Sequence, residues 1–194
     1  MSKKGFLLVL MQPPPAFEEE FNAWYDTEHV PDRLAVDGFE SGRRYVCLDG
    51  HPKYLAMYDM ENEAVLETEA YRRVSGERAS PWTKRVTGRV SVYRSIGEQL
   101  YPGGELTRPT PRSVLMRFSG TPDGLADAVV AGARATFEGR VNTLQLRVFA
   151  YHRDGVVDFL VLAGLKVPEE IALDMGAFGE AAGHLDMVNS YALY

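Results

Sequence analysis

Residues 101–111 read Tyr-Pro-Gly-Gly-Glu-Leu-Thr-Arg-Pro-Thr-Pro, with three prolines and two glycines in one stretch. Proline lacks the amide proton that helices and sheet ladders need, so no regular element crosses this segment and it reads as a semi-rigid linker. The same order of elements stands on either side of it. Before the linker, the apolar run 5–12 fits a buried strand, and 16–34 follows a helical period with Glu18, Glu19 and Glu20 in its first turn, where the helix dipole favours acids. Pro31 disfavours the α conformation at Val30 and is expected to end or kink that helix. Asp37-Gly38 marks a turn, strands at 39–48 and 53–60 flank Asp49-Gly50-His51-Pro52, Asn62 caps a second helix over 63–74, and 86–96 closes as a strand. After the linker come a strand at 113–118 and a helix opened by Thr121-Pro122-Asp123 that runs through 126–137. A hairpin of 144–151 and 156–165 turns about Arg153-Asp154-Gly155, Pro168-Glu169-Glu170 opens a helix, and 186–194 is a last strand.

Both halves therefore read βαββαβ, the ferredoxin-like order, and the expected class is α+β with two tandem duplicated units. One such unit leaves a sheet face bare, and that face must be covered. Two units in one chain supply each other's cover, so the expectation is an intrachain pseudo-dimer, its sheets packed together. The boundaries are 1–100 for the first unit, 101–111 for the linker and 112–194 for the second unit. Folding then needs no partner chain, and the protein is expected as a monomer or a homodimer joined through helices or edge strands.

Composition narrows the function by exclusion. With 45% hydrophobic and 25% charged residues the chain is an ordinary globular one. The run at 6–11 is too short to span a bilayer, and Pro13-Pro14-Pro15 cuts it off before any signal-peptide core forms, so no membrane association and a cytoplasmic location are expected. The single cysteine, Cys47, excludes intrachain disulfides and multi-cysteine metal sites. Net charge is −6 with no block of basic residues, which disfavours nucleic acid. His29, His51, His152 and His184 show no metal-ligand spacing, so no metal is expected; His152 or His184 could serve haem as an axial ligand, but no sequence feature favours it. Phosphate loops and the Gly-x-Ser-x-Gly turn are absent, so no nicotinamide, flavin or nucleotide cofactor and no serine hydrolase are expected.

The densest set of functional side chains is Phe21-Asn22-Ala23-Trp24-Tyr25-Asp26-Thr27-Glu28-His29-Val30-Pro31-Asp32-Arg33. On a regular helix Trp24 lies over Glu28 and Tyr25 over His29. A histidine at the C-terminal end of a helix, with Asp26 and Glu28 beside it, is expected to favour the imidazolium. Such a group can move a proton or hold an anion near neutral pH. The other reading is that His29 caps the last carbonyls while Trp24 and Tyr25 pack in the core.

The Trp-Tyr pair followed by Glu28, His29 and Pro31, then Gly38-Phe39 and Arg43-Arg44-Tyr45 on the next strand, resembles the dimeric α+β barrel superfamily, and within it the EthD-like branch. The resemblance is strong only over the first 60 residues. It implies a pocket between helix and sheet for a small hydrophobic or aromatic molecule. It implies His29 as proton carrier and Tyr45 as hydrogen-bond donor, with Trp24 and Tyr25 lining the pocket; Arg44 and Tyr58 are further expected to contact substrate. The activity expected is cofactor-free acid/base chemistry on an aromatic, lactone or polyketide-like compound. The alternatives are a cofactor-free monooxygenase and a binding or accessory protein without chemistry. The first helix after the linker, 125–137, has neither the Trp-Tyr pair nor a histidine, so one site is expected and the second unit is scaffold. Arg43 and Arg44 alternate across the strand, so only one of them can face a given pocket. Cys47, on the same face as Tyr45, is expected to be a small buried hydrophobe.

Overall fold

The structure is a computed structural model that describes residues 3–122 and 124–194. Its frame is a closed barrel of eight antiparallel strands in the spatial order β1-β3-β2-β8-β5-β7-β6-β4. The strands are β1 Gly5–Gln12, β2 Phe39–Cys47, β3 Tyr54–Met60, β4 Ser91–Tyr101, β5 Arg112–Thr121, β6 Thr143–Arg153, β7 Val156–Leu165 and β8 Leu185–Leu193. The helices on the outside are α1 Glu18–Trp24, α2 Val30–Leu34, α3 Glu69–Arg73, α4 Pro81–Thr87 and α5 Ala126–Phe137. Among the described residues no helix is long and apolar enough to cross a membrane.

The two four-stranded sheets meet edge to edge rather than stacking as separate layers. One seam pairs Tyr45, Val46 and Cys47 of β2 with Leu193, Ala192 and Tyr191 of β8. The other pairs Glu98, Gln99 and Tyr101 of β4 with Ala150, Phe149 and Val148 of β6. Closure satisfies the backbone donors and acceptors that an open sheet would leave at each edge, and it buries the bare faces at the same time. Gly97 is what lets the second seam close, because a Cβ there would lie 1.9 Å from the Ala150 carbonyl oxygen.

Alternation along the strands sends one set of side chains inward. Phe6, Leu8, Leu10, Tyr45, Leu55, Met57, Leu115, Phe149 and Tyr191 form a single buried cluster inside the barrel. A polar knot lies alongside it: Arg147 of β6 and Asp59 of β3 form a fully buried ion pair at 2.6 Å. Asp59 also accepts a hydrogen bond from the backbone amide of Thr107 at 2.6 Å. The segment between β4 and β5 is thus pinned to both sheets rather than acting as a free spacer.

Four expectations need correction. The helix over 16–34 is not ended by Pro31: α1 passes through a π-helical turn, Tyr25–His29, straight into α2. The wider turn gives the proline ring room and moves the Val30 amide to the Tyr25 carbonyl five residues back. The helix over 63–74 is a 3₁₀ segment, Glu63–Glu67, and then α3, because Thr68 breaks the run to cap α3 through its side chain. Val86 belongs to α4, whose start is set by Ser80 accepting from the Thr83 amide with Pro81 in the first turn, so the closing strand begins only at Ser91. Pro168 opens no helix. The helical turns there are 3₁₀, Met175–His184, capped by Asp174 and kinked at Gly179 with φ 54°. Of the triplet expected to open α5, Asp123 lies outside the described residues.

Candidate active site

The helix–sheet interface of β1–β4 holds a cavity of about 230 Å³. Leu7, Val9 and Met11 of β1 form its inner wall, Val92 and Arg94 of β4 one side, and α4 contributes Thr83, Lys84 and Thr87. Trp24, Tyr25, His29 and Arg33 enter from the α1–α2 helix, and Tyr71 from α3. The π turn fixes this arrangement. It brings residue i+5 onto the face that i+4 would occupy in a regular helix, so His29 meets both aromatics at once, with ring centroids 4.2 Å from Trp24 and 4.8 Å from Tyr25.

The acids beside His29 in sequence are spent elsewhere. Glu28 accepts from the Thr83 hydroxyl at 2.8 Å, and that hydroxyl accepts from the Trp24 indole at 2.9 Å. Asp26 is paired with Arg44. His29 itself has no hydrogen-bond partner among the described residues, and its half-buried ring lies mid-helix rather than at a helix end. Burial, then the nearby guanidiniums of Arg33, Arg44 and Arg94, hold its pKa well below the usual imidazole value. The expectation of a stabilised imidazolium is thereby reversed: the imidazole is neutral at neutral pH.

The tyrosines stay protonated. Burial raises Tyr25 to about 12 and pushes Tyr58 well above the usual phenol value. Their hydroxyls face each other at 3.5 Å, with Tyr58 behind Tyr25 rather than on the cavity wall. Arg44 is equally one layer back, stacked over the Tyr25 ring at 4.5 Å and the Tyr194 ring at 4.1 Å, and it donates to Asn22 at 2.6 Å. Tyr45 is not brought to His29. It follows Arg44 on β2, so its side chain points to the other face, into the barrel core. Of the six residues expected from sequence, Trp24, Tyr25 and His29 line the cavity, Arg44 and Tyr58 support it, and Tyr45 lies across the sheet.

Sequence reasoning missed Arg33, Tyr71, Thr83, Lys84 and Arg94. Arg33 was legible, since it stands four residues after His29 on the same helix; the others come from elements whose packing sequence alone does not give. Of the remaining histidines, His51 contacts Gln12 at 3.2 Å, His152 is exposed, and His184 contacts the Ser119 carbonyl at 3.3 Å. Among the described residues no cluster of three metal-ligating side chains occurs. Cys47 is half-buried, and burial pushes its thiol up, away from the thiolate.

No family model matches the chain, and no curated protein matches it. Among solved structures it is similar to an anthrone oxidase-like protein, with TM-score 0.72 at 16% identity over 100% of this chain and 92% of that one. It is also similar to a chlorite dismutase variant from Candidatus Nitrospira defluvii crystallised with cyanide, with TM-score 0.56, 9% identity and coverage of 100% and 91%. A third is a heme-binding protein from Thermus thermophilus, with TM-score 0.53, 9% identity and coverage of 100% and 92%. The fold of this chain is the dimeric α+β barrel.

Haem does not fit the residues present. The cavity of about 230 Å³ is too small to enclose a porphyrin. The centre of the matching space over β5–β8 is filled by Phe118, Phe137 and Phe178, and the cleft of about 320 Å³ beside it is lined by Val114, Leu165, Pro168 and Glu169 with no histidine.

Proposed function

We propose that this protein is a cofactor-free acid/base enzyme acting on a small aromatic compound of one or two rings, with His29 as the proton acceptor. The observation that carries the reading is the place of His29, without a hydrogen-bond partner among the described residues, on the wall of an aromatic-lined cavity beside Arg33 and Arg94, where burial and these cations favour the neutral imidazole. A neutral imidazole accepts a proton from an acidic C–H or O–H of the bound compound. The positive field of Arg33 and Arg94 then stabilises the enolate or phenolate left behind, in a site where such charges are weakly screened. Returning the proton to a different carbon completes an isomerisation or cyclisation with no net gain or loss of atoms.

Trp24 and Tyr25 hold the aromatic ring, and Arg44 and Tyr58 keep Tyr25 in place. The first half, residues 1–100, carries the site, and 112–194 is its scaffold. The helix bearing Trp24, Tyr25, Glu28 and His29 supports membership of the EthD-like branch. Removal of the proton also leaves a carbanion that can reduce dioxygen, one oxygen atom becoming a new carbonyl of the substrate and the other leaving as water, and the likeness of fold to the anthrone oxidase-like protein favours a cofactor-free monooxygenase as the second reading.

The test uses 2-tetralone, a two-ring ketone with acidic C–H groups, in deuterium oxide without oxygen. The protein should accelerate exchange at its α-carbon, and His29→Gln should lose about 10²–10⁴-fold of that acceleration while keeping the fold. Exchange no faster than in buffer, or unchanged in His29→Gln, overturns the reading.

A further inference from the structure

The cavity wall carries cations and no acid. Arg33, Lys84 and Arg94 line it, and no Asp or Glu does, although the chain as a whole has net charge −6. Among the described residues none of the three has a carboxylate within 4.0 Å. Arg33 is the telling one, because it is 5% exposed and its only hydrogen bond there is to the Val74 carbonyl at 2.8 Å. A buried guanidinium without a counter-charge is costly unless an anion joins it.

Tyr71 organises two of these cations into one cradle. Its ring lies under Arg33 at 4.9 Å, and its hydroxyl accepts from Arg94 at 2.7 Å. A planar guanidinium with free N–H groups suits a carboxylate, which it can meet with two parallel hydrogen bonds. Lys84 and Arg94 are exposed to solvent, so the unmet demand for a counter-charge rests on buried Arg33, with Arg94 held beside it through Tyr71. We infer that the compound bound here carries a permanent carboxylate, seated on Arg33 and Arg94 across Tyr71, beside the ring held by Trp24 and Tyr25. This rests on the reading of the cavity as an aromatic site and adds the acid group that selects among aromatic compounds.

The experiment is calorimetric titration of the full chain with 1-naphthoate and with its neutral counterpart 1-naphthamide. The wild type should bind naphthoate at least tenfold more tightly. Arg33→Met should erase that preference while naphthamide affinity stays within twofold, and Arg33→Lys should restore part of it. Arg94→Met, at an exposed position, should reduce the preference without touching the buried wall. His29→Gln should keep the preference, which separates this inference from the acid/base reading: a wild type that fails to accelerate tetralone exchange yet keeps naphthoate selectivity sinks only the latter. Equal affinity of the two probes in the wild type, or a preference that survives both arginine variants, overturns the carboxylate assignment. Binding of neither probe overturns it together with the aromatic cavity.

Discussion

The space between helices and sheet is used in opposite ways on the two sides of the barrel. Over β5–β8 the space beneath α5 is closed by Phe118, Val129, Ala133, Phe137 and Phe178, and α5 approaches so tightly that a Cβ on Gly132 would lie 2.4 Å from the Phe178 ring. Over β1–β4 the same space keeps a cavity of about 230 Å³ with a histidine and three cations on its wall. A packed apolar layer gains dispersion and loses water; a cavity with unpaired cations gains neither. The difference teaches that the second interface is packed for stability around α5, while the first leaves the open space that the proposed binding site requires.

The largest effect expected from breaking this contrast is at Phe178. Phe178→Ala should cost about 3–5 kcal/mol in urea unfolding, since the ring is fully buried and its neighbours cannot all collapse. A matched pair sharpens the point. Ala133→Leu, inside the packed layer, should cost about 1–3 kcal/mol through overpacking, whereas Ala79→Leu should fit into the cavity at less than about 1.5 kcal/mol and abolish naphthoate binding. If the two leucines cost the same, the cavity is not open space.

A smaller effect lies in pH. In the unfolded chain His29 takes a proton near pH 6.5, but in the folded chain it stays neutral because its pKa is lowered. The unfolded state then binds more protons below pH 6.5, so stability falls as pH drops, by up to about 1.4 kcal/mol per pH unit, until the folded pKa is reached. Denaturant curves at pH 7.0 and 5.5 should show this loss reduced in His29→Gln relative to wild type. Equal acid sensitivity in both would place the histidine in an unperturbed environment.

Much of the fold was legible because it follows from periodicity and turn chemistry. The strands 5–12 and 156–165 and the helix through 126–137 match the observed β1, β7 and α5. The hairpin at Asp154-Gly155 turns through two residues of positive φ, 49° and 79°. Closure of the barrel was not legible, since it depends on which sheet edges meet and on a glycine, Gly97, whose need appears only at the seam. The site was half legible. Residue types in the Trp24–Arg33 run pointed to the helix that lines the cavity, but nothing in the run announced the π turn, which changes which rings touch His29. Tyr45 was misplaced although strand alternation was available: it could not share a face with Arg44. Arg94, Tyr71 and Lys84 come from strands and short helices far along the chain, and only the packed structure brings their charges to the imidazole.

The protonation state of His29 is where the geometry commits itself most plainly. Proton NMR of the imidazole C–H signals across pH 4–8, with the His29→Gln variant giving the assignment, reads it directly. The His29 signal should hold its neutral position well below pH 6.5 in the free protein. A midpoint at or above 6.5 would mean an imidazolium stabilised by Asp26 and Glu28, and the cationic cavity with a neutral base would be wrong.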